Sequence, residues 1–392
     1  MRIYLDHNAS APLRPAVREA CAELAEFAGN PASIHHSGQR ARGALELARE
    51  RVVGLIGGAD SHRLVFTSGG TESNNLAIFG AVHARAARRK VVSSAIEHSS
   101  ILAPLARLES QGFEVVRIAP DSDARIQPER VLRALDRSTA IVTLGLVNSE
   151  TGTIQDLASL SEPIREAGAA FHVDAAQALG RMPVSTDALG CDLITLSGHK
   201  IGAPAGIGAL YVSDRAMIAP MMLGGPQEGE LRAGTPNLLG AVAFGAAADA
   251  IASRIDEEAA LIDALARRLL DGLLQSIPGI CLNGPQSGRV ANTLNLTFPA
   301  VLGESLLIAL DLNGVEVSMG SACAAGAVEP SHVLLAMGRS EAEARSSLRL
   351  SLGWATTADE IDRAAEVIAR TWHTVASAEP AAAQAVSNQG SA

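Results

Sequence analysis

The run Leu193-Ile194-Thr195-Leu196 breaks at Ser197-Gly198-His199-Lys200 into a polar, glycine-containing turn that ends in a lysine. Shortly before it, Ala169-Ala170-Phe171-His172-Val173 leads in the same way into Asp174-Ala175-Ala176-Gln177. Both apolar runs read as buried strands, being short, unbroken and bounded by turn formers. In an open α/β sheet, ligands gather at the carboxyl ends of the strands. Two strand ends would then bring an acid and a lysine to one crevice. Taken singly, Lys200 reads equally well as a solvated loop lysine and Asp174 as a helix N-cap. The pair gains weight from what surrounds it.

Working outward, the same alternation recurs. Residues 64–67, 91–95, 114–118, 140–144 and 207–212 read as strands, with helices expected over about 15–27, 39–56, 99–110, 128–135 and 156–166. Repeated βα units predict a mainly parallel sheet covered by helices. The polar clusters Gly70/Thr71, His98, Asn148/Ser149, Asp174/Gln177 and Ser197 to Lys200 all fall at strand carboxyl ends. The glycine-rich turn Ser68-Gly69-Gly70-Thr71 opens a helix, so its free N–H groups and the helix dipole suit an anion such as a phosphate; an ordinary glycine turn capped by Thr71 reads as well. A carboxylate facing a lysine is what pyridoxal-phosphate chemistry needs. The lysine forms the Schiff base, and the acid keeps the pyridine nitrogen protonated so that the ring accepts carbanion electrons.

Composition sets the outer bounds. A chain of 392 residues, 47% hydrophobic, is long enough for two core-bearing domains. Only 3% is aromatic, so its cores should be aliphatic. A net charge of −10 argues against nucleic acid as a partner. No apolar run approaches the roughly 18 residues of a membrane span, and Met1-Arg2-Ile3-Tyr4-Leu5-Asp6-His7 lacks the core of a signal peptide. A cytoplasmic location is expected. Cys21, Cys191, Cys281 and Cys323 are far apart, which disfavours a zinc site or a disulfide framework. The first three read as small buried hydrophobes. Cys323 lies in Ser318-Met319-Gly320-Ser321-Ala322-Cys323-Ala324-Ala325-Gly326, where small residues suit a thiol that travels, although a structural cysteine fits the composition too.

After a long loop at 224–235, of the kind that is functional or at an interface, a broken helix over 238–276 leads to a second region. There, strands are expected at 291–298 and 347–352, with helices at 304–312 and 358–375. The domains are expected as 14–255 (large) and 1–13 with 256–376 (small, carrying the thiol segment), and 377–392 as a disordered tail.

Together these stretches resemble the cysteine desulfurases, specifically the group I (NifS/IscS-like) branch of the class V aminotransferase family of fold type I pyridoxal-phosphate enzymes. The resemblance rests on Phe66-Thr67-Ser68-Gly69-Gly70-Thr71-Glu72-Ser73, Glu97-His98, His172-Val173-Asp174-Ala175-Ala176-Gln177 and Ser197-Gly198-His199-Lys200. It extends to Arg232-Ala233-Gly234-Thr235, Gly320-Ser321-Ala322-Cys323 and Leu348-Arg349-Leu350-Ser351-Leu352-Gly353. It implies an α/β fold with a large domain of mainly parallel mixed sheet and a smaller α+β domain. It further implies that Lys200 carries pyridoxal 5'-phosphate, Asp174 pairs with the pyridine nitrogen, Gln177 bonds the ring hydroxyl and His98 stacks on the ring and assists proton transfer. Gly70, Thr71, Ser197 and His199 would hold the phosphate, with Thr235 reaching it from the second subunit of a homodimer. Arg349 would bind the carboxylate of L-cysteine, and Cys323 would take its sulfur as a persulfide, releasing alanine. The sulfur would pass to an iron–sulfur scaffold or another acceptor protein. No resident metal is implied, only transient contact of Cys323 with a partner's iron–sulfur cluster. One departure stands out: the family's usual Asn-Asn-Glu reads Asn148-Ser149-Glu150, which bears on contacts to cofactor and substrate. A selenocysteine lyase, or a weakly active paralogue serving as a binding partner, are the alternatives.

Overall fold

The structure, a computed structural model, describes residues 2–26, 29–58, 60–320 and 329–378. Its strands in chain order are β1 (Ile3–Tyr4), β2 (Leu64–Thr67), β3 (Lys90–Ser94), β4 (Glu114–Ile118), β5 (Thr139–Gly145), β6 (Ala170–Asp174), β7 (Leu193–Ser197) and β8 (Gly208–Val212), followed by β9 (Cys281–Leu282), β10 (Thr293–Thr297), β11 (Val315–Glu316) and β12 (Ser347–Ser351).

Strands β2 to β8 form one seven-stranded sheet in the order β2-β8-β7-β6-β5-β3-β4. Pairs from β4 through β7 are parallel, and β8 runs antiparallel to both its neighbours. The sheet is thus mixed and mostly parallel, as expected. Register fixes the site: Asp174 pairs with Gly145 on one side and Thr195 on the other, and Ser197 pairs with Gly208. Acid and lysine therefore emerge from adjacent strands at one sheet edge.

The aliphatic composition shows in how closely the layers approach. The Leu238–Ala252 helix buries mostly Ala and Gly. A Cβ placed on its Gly245 would lie 2.7 Å from the Cα of Ala48 in the His36–Leu55 helix, so glycine there sets the helix spacing. That second helix begins three residues earlier than its apolar period suggests, because His35 caps it by accepting from the Gly38 N–H. At the sheet edge, a Cβ on Gly208 would meet the Gly69 backbone at 2.6 Å. Gly208 lets β8 pass beneath the glycine-rich turn. Gly208→Ala is expected to cost about 1–3 kcal/mol, as overpacking does, and to weaken cofactor binding by displacing that turn; thermal melting and cofactor titration check it.

A separate core joins Ile3 and Leu5 to residues of the second half, among them Leu269, Leu294, Phe298, Leu350 and Trp372. Its antiparallel sheet β9-β10-β12 alternates as period two requires: Leu348, Leu350 and Leu352 enter that core, while Arg349 and Ser351 point the other way. The buried pair Arg14–Glu258, two charge-assisted bonds of 2.9 and 2.7 Å, ties the Pro15–Ala25 helix to the Ile255–Ser276 helix. The broken helix is real, with its break between Ala252 and Ile255. The final helix ends at Ala378, two residues into the expected tail; the rest of that tail lies outside the described residues. One cysteine expectation is corrected. Cys191 is buried, but Cys21 is only half-buried and Cys281 is exposed, because β9 is an edge strand. Among the described residues, no single helix is long and apolar enough to cross a membrane.

Candidate active site

A cavity of about 460 Å³ opens at the carboxyl ends of β3, β5, β6 and β7. Its wall includes ten of the expected residues: Gly70, Thr71, His98, Ser149, Asp174, Gln177, Ser197, His199, Lys200 and Arg349. Two expected residues are not on it. Thr235 is exposed and does not line the cavity of a single chain. Cys323 lies outside the described residues, although Gly320, three positions earlier, is on the wall.

Lys200 follows β7 on a short helical turn, and its Nζ donates to the carbonyls of Asn8 and Ala9. Burial first, then the positive charges of Arg181 and Arg349, push its amine down to about 8. A minority of it, far more than for an ordinary lysine, is therefore neutral near physiological pH, the form that adds to a carbonyl. Asp174 is held by two donors: the Asn74 side-chain amide at 2.7 Å and the Ala176 N–H at 2.9 Å. Beneath it, the fully buried His172 bridges Thr143 on β5 and Thr195 on β7, locking three strands in register. Burial pushes that imidazole down to about 4, so it is a neutral structural group.

His98 caps the Ser99–Ser110 helix. Its Nδ1 accepts from the Ser100 N–H, which leaves the ring proton on Nε2. Burial lowers its pKa, and burial with Lys200 and Arg181 pushes His199 down to about 4. Both rings are neutral donors or acceptors at pH 7. Arg349 is buried on β12, paired with Asp6 at 2.9 Å and donating to the Ser149 carbonyl at 3.2 Å. Ser149 therefore meets Arg349 through its backbone, whatever its side chain.

Wall residues not singled out as site residues by sequence include Asn8, Asn74, Glu97, Glu150 and His332. A signal existed for Asn74, which lies one helical turn beyond Gly70 and so shares its face. Burial pushes Glu97 up to about 8 and raises Glu150 as well, so both tend to the neutral acid. Lys200, Arg181 and Arg349 bring positive charge to the cavity and its surroundings, with Asp6 and Asp174 opposite them.

These residues fit pyridoxal phosphate. The Gly70–Ala84 helix, fifteen residues long, points its amino end at the wall beside Ser197 and His199, which suits a phosphate. Asp174 suits a protonated ring nitrogen and Lys200 an aldehyde. Two buried polar atoms of wall residues, Asn74 Oδ1 and Arg349 Nε, have no partner among the described residues, which buried polar groups normally do.

An α/β fold with a lysine and an acid on adjacent strand ends defines a pyridoxal-phosphate enzyme of fold type I. The aminotransferase class-V family model matches residues 3–364, and the chain belongs to that family. Within it, the chain is 40% identical over 370 residues to the cysteine desulfurase IscS of Dictyoglomus turgidum, covering 94% of each. Among solved structures it resembles a NifS-like protein (TM-score 0.88, 30% identity, 94% of this chain and 99% of that one). It also resembles SspA solved in complex with cysteine (TM-score 0.80, 32% identity, 90% and 99%).

Proposed function

We propose that this protein is a pyridoxal-phosphate-dependent cysteine desulfurase, converting L-cysteine to L-alanine with the sulfur held on Cys323. The observation that carries this reading is a single cavity. Lys200, Asp174 and Arg349 share its wall with Gly320, which leads into the thiol segment. When bound, the cofactor supplies an electron sink that makes the substrate's carbon–sulfur bond breakable. This chain's residues do the rest. Lys200 holds the cofactor and, as a neutral amine, moves the substrate's α-proton. Asp174 keeps the ring nitrogen protonated, Gln177 bonds the ring hydroxyl, and His98 stacks on the ring face. Gly70, Thr71, Ser197 and His199 hold the phosphate. Arg349, on the cavity wall, fixes the substrate carboxylate. The Cys323 sulfur, as thiolate, attacks the substrate sulfur. A sulfur–sulfur bond forms, the carbon–sulfur bond breaks, and its electron pair stays with carbon. One proton, from the Cys323 thiol overall, completes the methyl group of alanine.

We read the working unit as a cytoplasmic homodimer. Met217, Met221, Met222, Leu223 and Ile34 are exposed, an apolar load that a second copy would cover, and Thr235 would then reach the partner's phosphate site. Residues 14–255 form the cofactor domain, and 1–13 with 256–376 the domain that carries the thiol segment. The persulfide would be handed to an iron–sulfur scaffold or another acceptor protein. The test is alanine release from purified protein and cysteine, with mass spectrometry of the Cys323 peptide. Equal amounts of alanine and of a peptide heavier by one sulfur are expected. Cofactor binding without either product would mean a non-catalytic paralogue.

A further inference from the structure

Lys200 stands between two cavities. Behind it, away from the large one, lies a pocket of about 30 Å³ whose wall includes His7, Arg14, Arg181, Glu258 and Trp354. The arginines around the lysine are not equivalent. Arg14 is matched by Glu258 and Arg349 by Asp6. Arg181 meets no carboxylate among the described residues. Its donors go to the Gln177 backbone carbonyl at 2.8 Å, to Gln177 Oε1 and to the His7 carbonyl at 3.4 Å.

That contact set decides how Gln177 faces the site. A guanidinium only donates, so the amide atom turned to Arg181 is oxygen. The other amide atom donates to the Asn8 carbonyl at 3.1 Å, which only accepts, so it is nitrogen. Gln177 lines the large cavity and is buried. One N–H of its amide is satisfied, and the second is left for a ligand. The orientation is imposed from behind.

We infer that Arg181 is a positioning residue with two effects: it turns the Gln177 amide donor toward the cofactor site, and it sets an unmatched positive charge behind Lys200. The inference rests on the reading of Lys200 as the cofactor's lysine. The charged and titratable groups facing that amine are Arg181 and Arg349, which disfavour its protonation, Asp6 and Asp174, which favour it, and the neutral rings of His98 and His199; on the pocket behind it, Arg14 is cancelled by Glu258 and burial keeps the His7 ring neutral. Arg349 is neutralised by Asp6 in direct contact, so Arg181 is the charge that remains. Its own guanidinium is pushed down to about 9, by burial and then by Arg349; it is charged at and below pH 8. Removing it should therefore raise the lysine and move cofactor capture to higher pH.

The experiment strips the cofactor from wild type, R181M and R181K and follows the visible band on adding pyridoxal phosphate between pH 6 and 9. Wild type is expected to show a midpoint near the Lys200 value of about 8. R181M should move upward by roughly one unit, as loss of a neighbouring like charge does. R181K keeps the charge and should restore the wild-type midpoint. Should R181M not fold, R181Q removes the charge while keeping a donor for Gln177, and carries the same expectation. A neutral variant with the wild-type midpoint, or R181K shifting as far as R181M, overturns the inference. A wild-type apoprotein that forms no visible band would overturn the functional reading instead, so the two failures are separable.

Discussion

Lys200→Ala should leave the protein folded, without the visible band of lysine-bound cofactor, and slower in alanine release by about a thousandfold or more. The magnitude follows from the two jobs one amine is asked to do. Covalent attachment and positioned proton transfer are each worth several powers of ten less than the whole, but general acid–base work alone contributes roughly 10²–10⁴. Folding should survive because Nζ makes its bonds to the carbonyls of Asn8 and Ala9 at the cavity wall, and the Lys200 backbone turn does not need the side chain. Arginine at this position holds its proton far more tightly than lysine, so Lys200→Arg should fail equally. An absorption spectrum and a circular dichroism trace decide the matter. A visible band unchanged in Lys200→Ala would remove this residue from its role. The pH profile adds a second check, because the amine is held near 8 by burial and by Arg181 and Arg349. Lowering the pH through that value protonates it, so cofactor capture should slow toward pH 6 and level off above pH 9.

Much of this site was legible because its parts hang on local patterns. An apolar run followed by a polar turn marks a strand's carboxyl end, and Asp174, Ser197 and Lys200 were each found by that rule. The direction of β8 was available in principle: only ten residues separate Ser197 from Gly208, too few for a parallel crossover of a dozen or more with its helix. The groups that escaped are those whose role comes from tertiary burial. Glu97 and Glu150 look like ordinary loop acids, and only their complete enclosure raises them toward neutrality. Asn8 sits near the amino terminus yet touches Lys200, Gln177, Asn292 and Thr293, segments almost 300 residues apart. No periodicity encodes such a meeting. Thr235 is the converse case, legible as a motif but away from the cavity wall of the single chain.

Cys323→Ser should separate the two halves of the chemistry. The variant is expected to keep pyridoxal phosphate, its colour and its thermal stability, since no described contact of the cofactor site depends on residue 323. Persulfide formation should disappear and alanine release should fall by at least about a hundredfold, because a hydroxyl is a far weaker nucleophile than a thiolate toward sulfur. The described residues flanking the thiol segment both meet one residue of the cavity wall. Gly320 lies against the Glu150 carboxyl so closely that a Cβ there would sit 1.9 Å from Oε2. On the other flank, the Ser331 hydroxyl bonds the same carboxyl. Both ends thus converge on one residue of the cavity wall. Mass spectrometry of the 323 peptide after exposure to cysteine, alongside alanine counts, reads the outcome directly. Full sulfide release by Cys323→Ser would assign the segment a structural role and require another sulfur carrier, for which exposed Cys281 on β9 is the accessible thiol among the described residues.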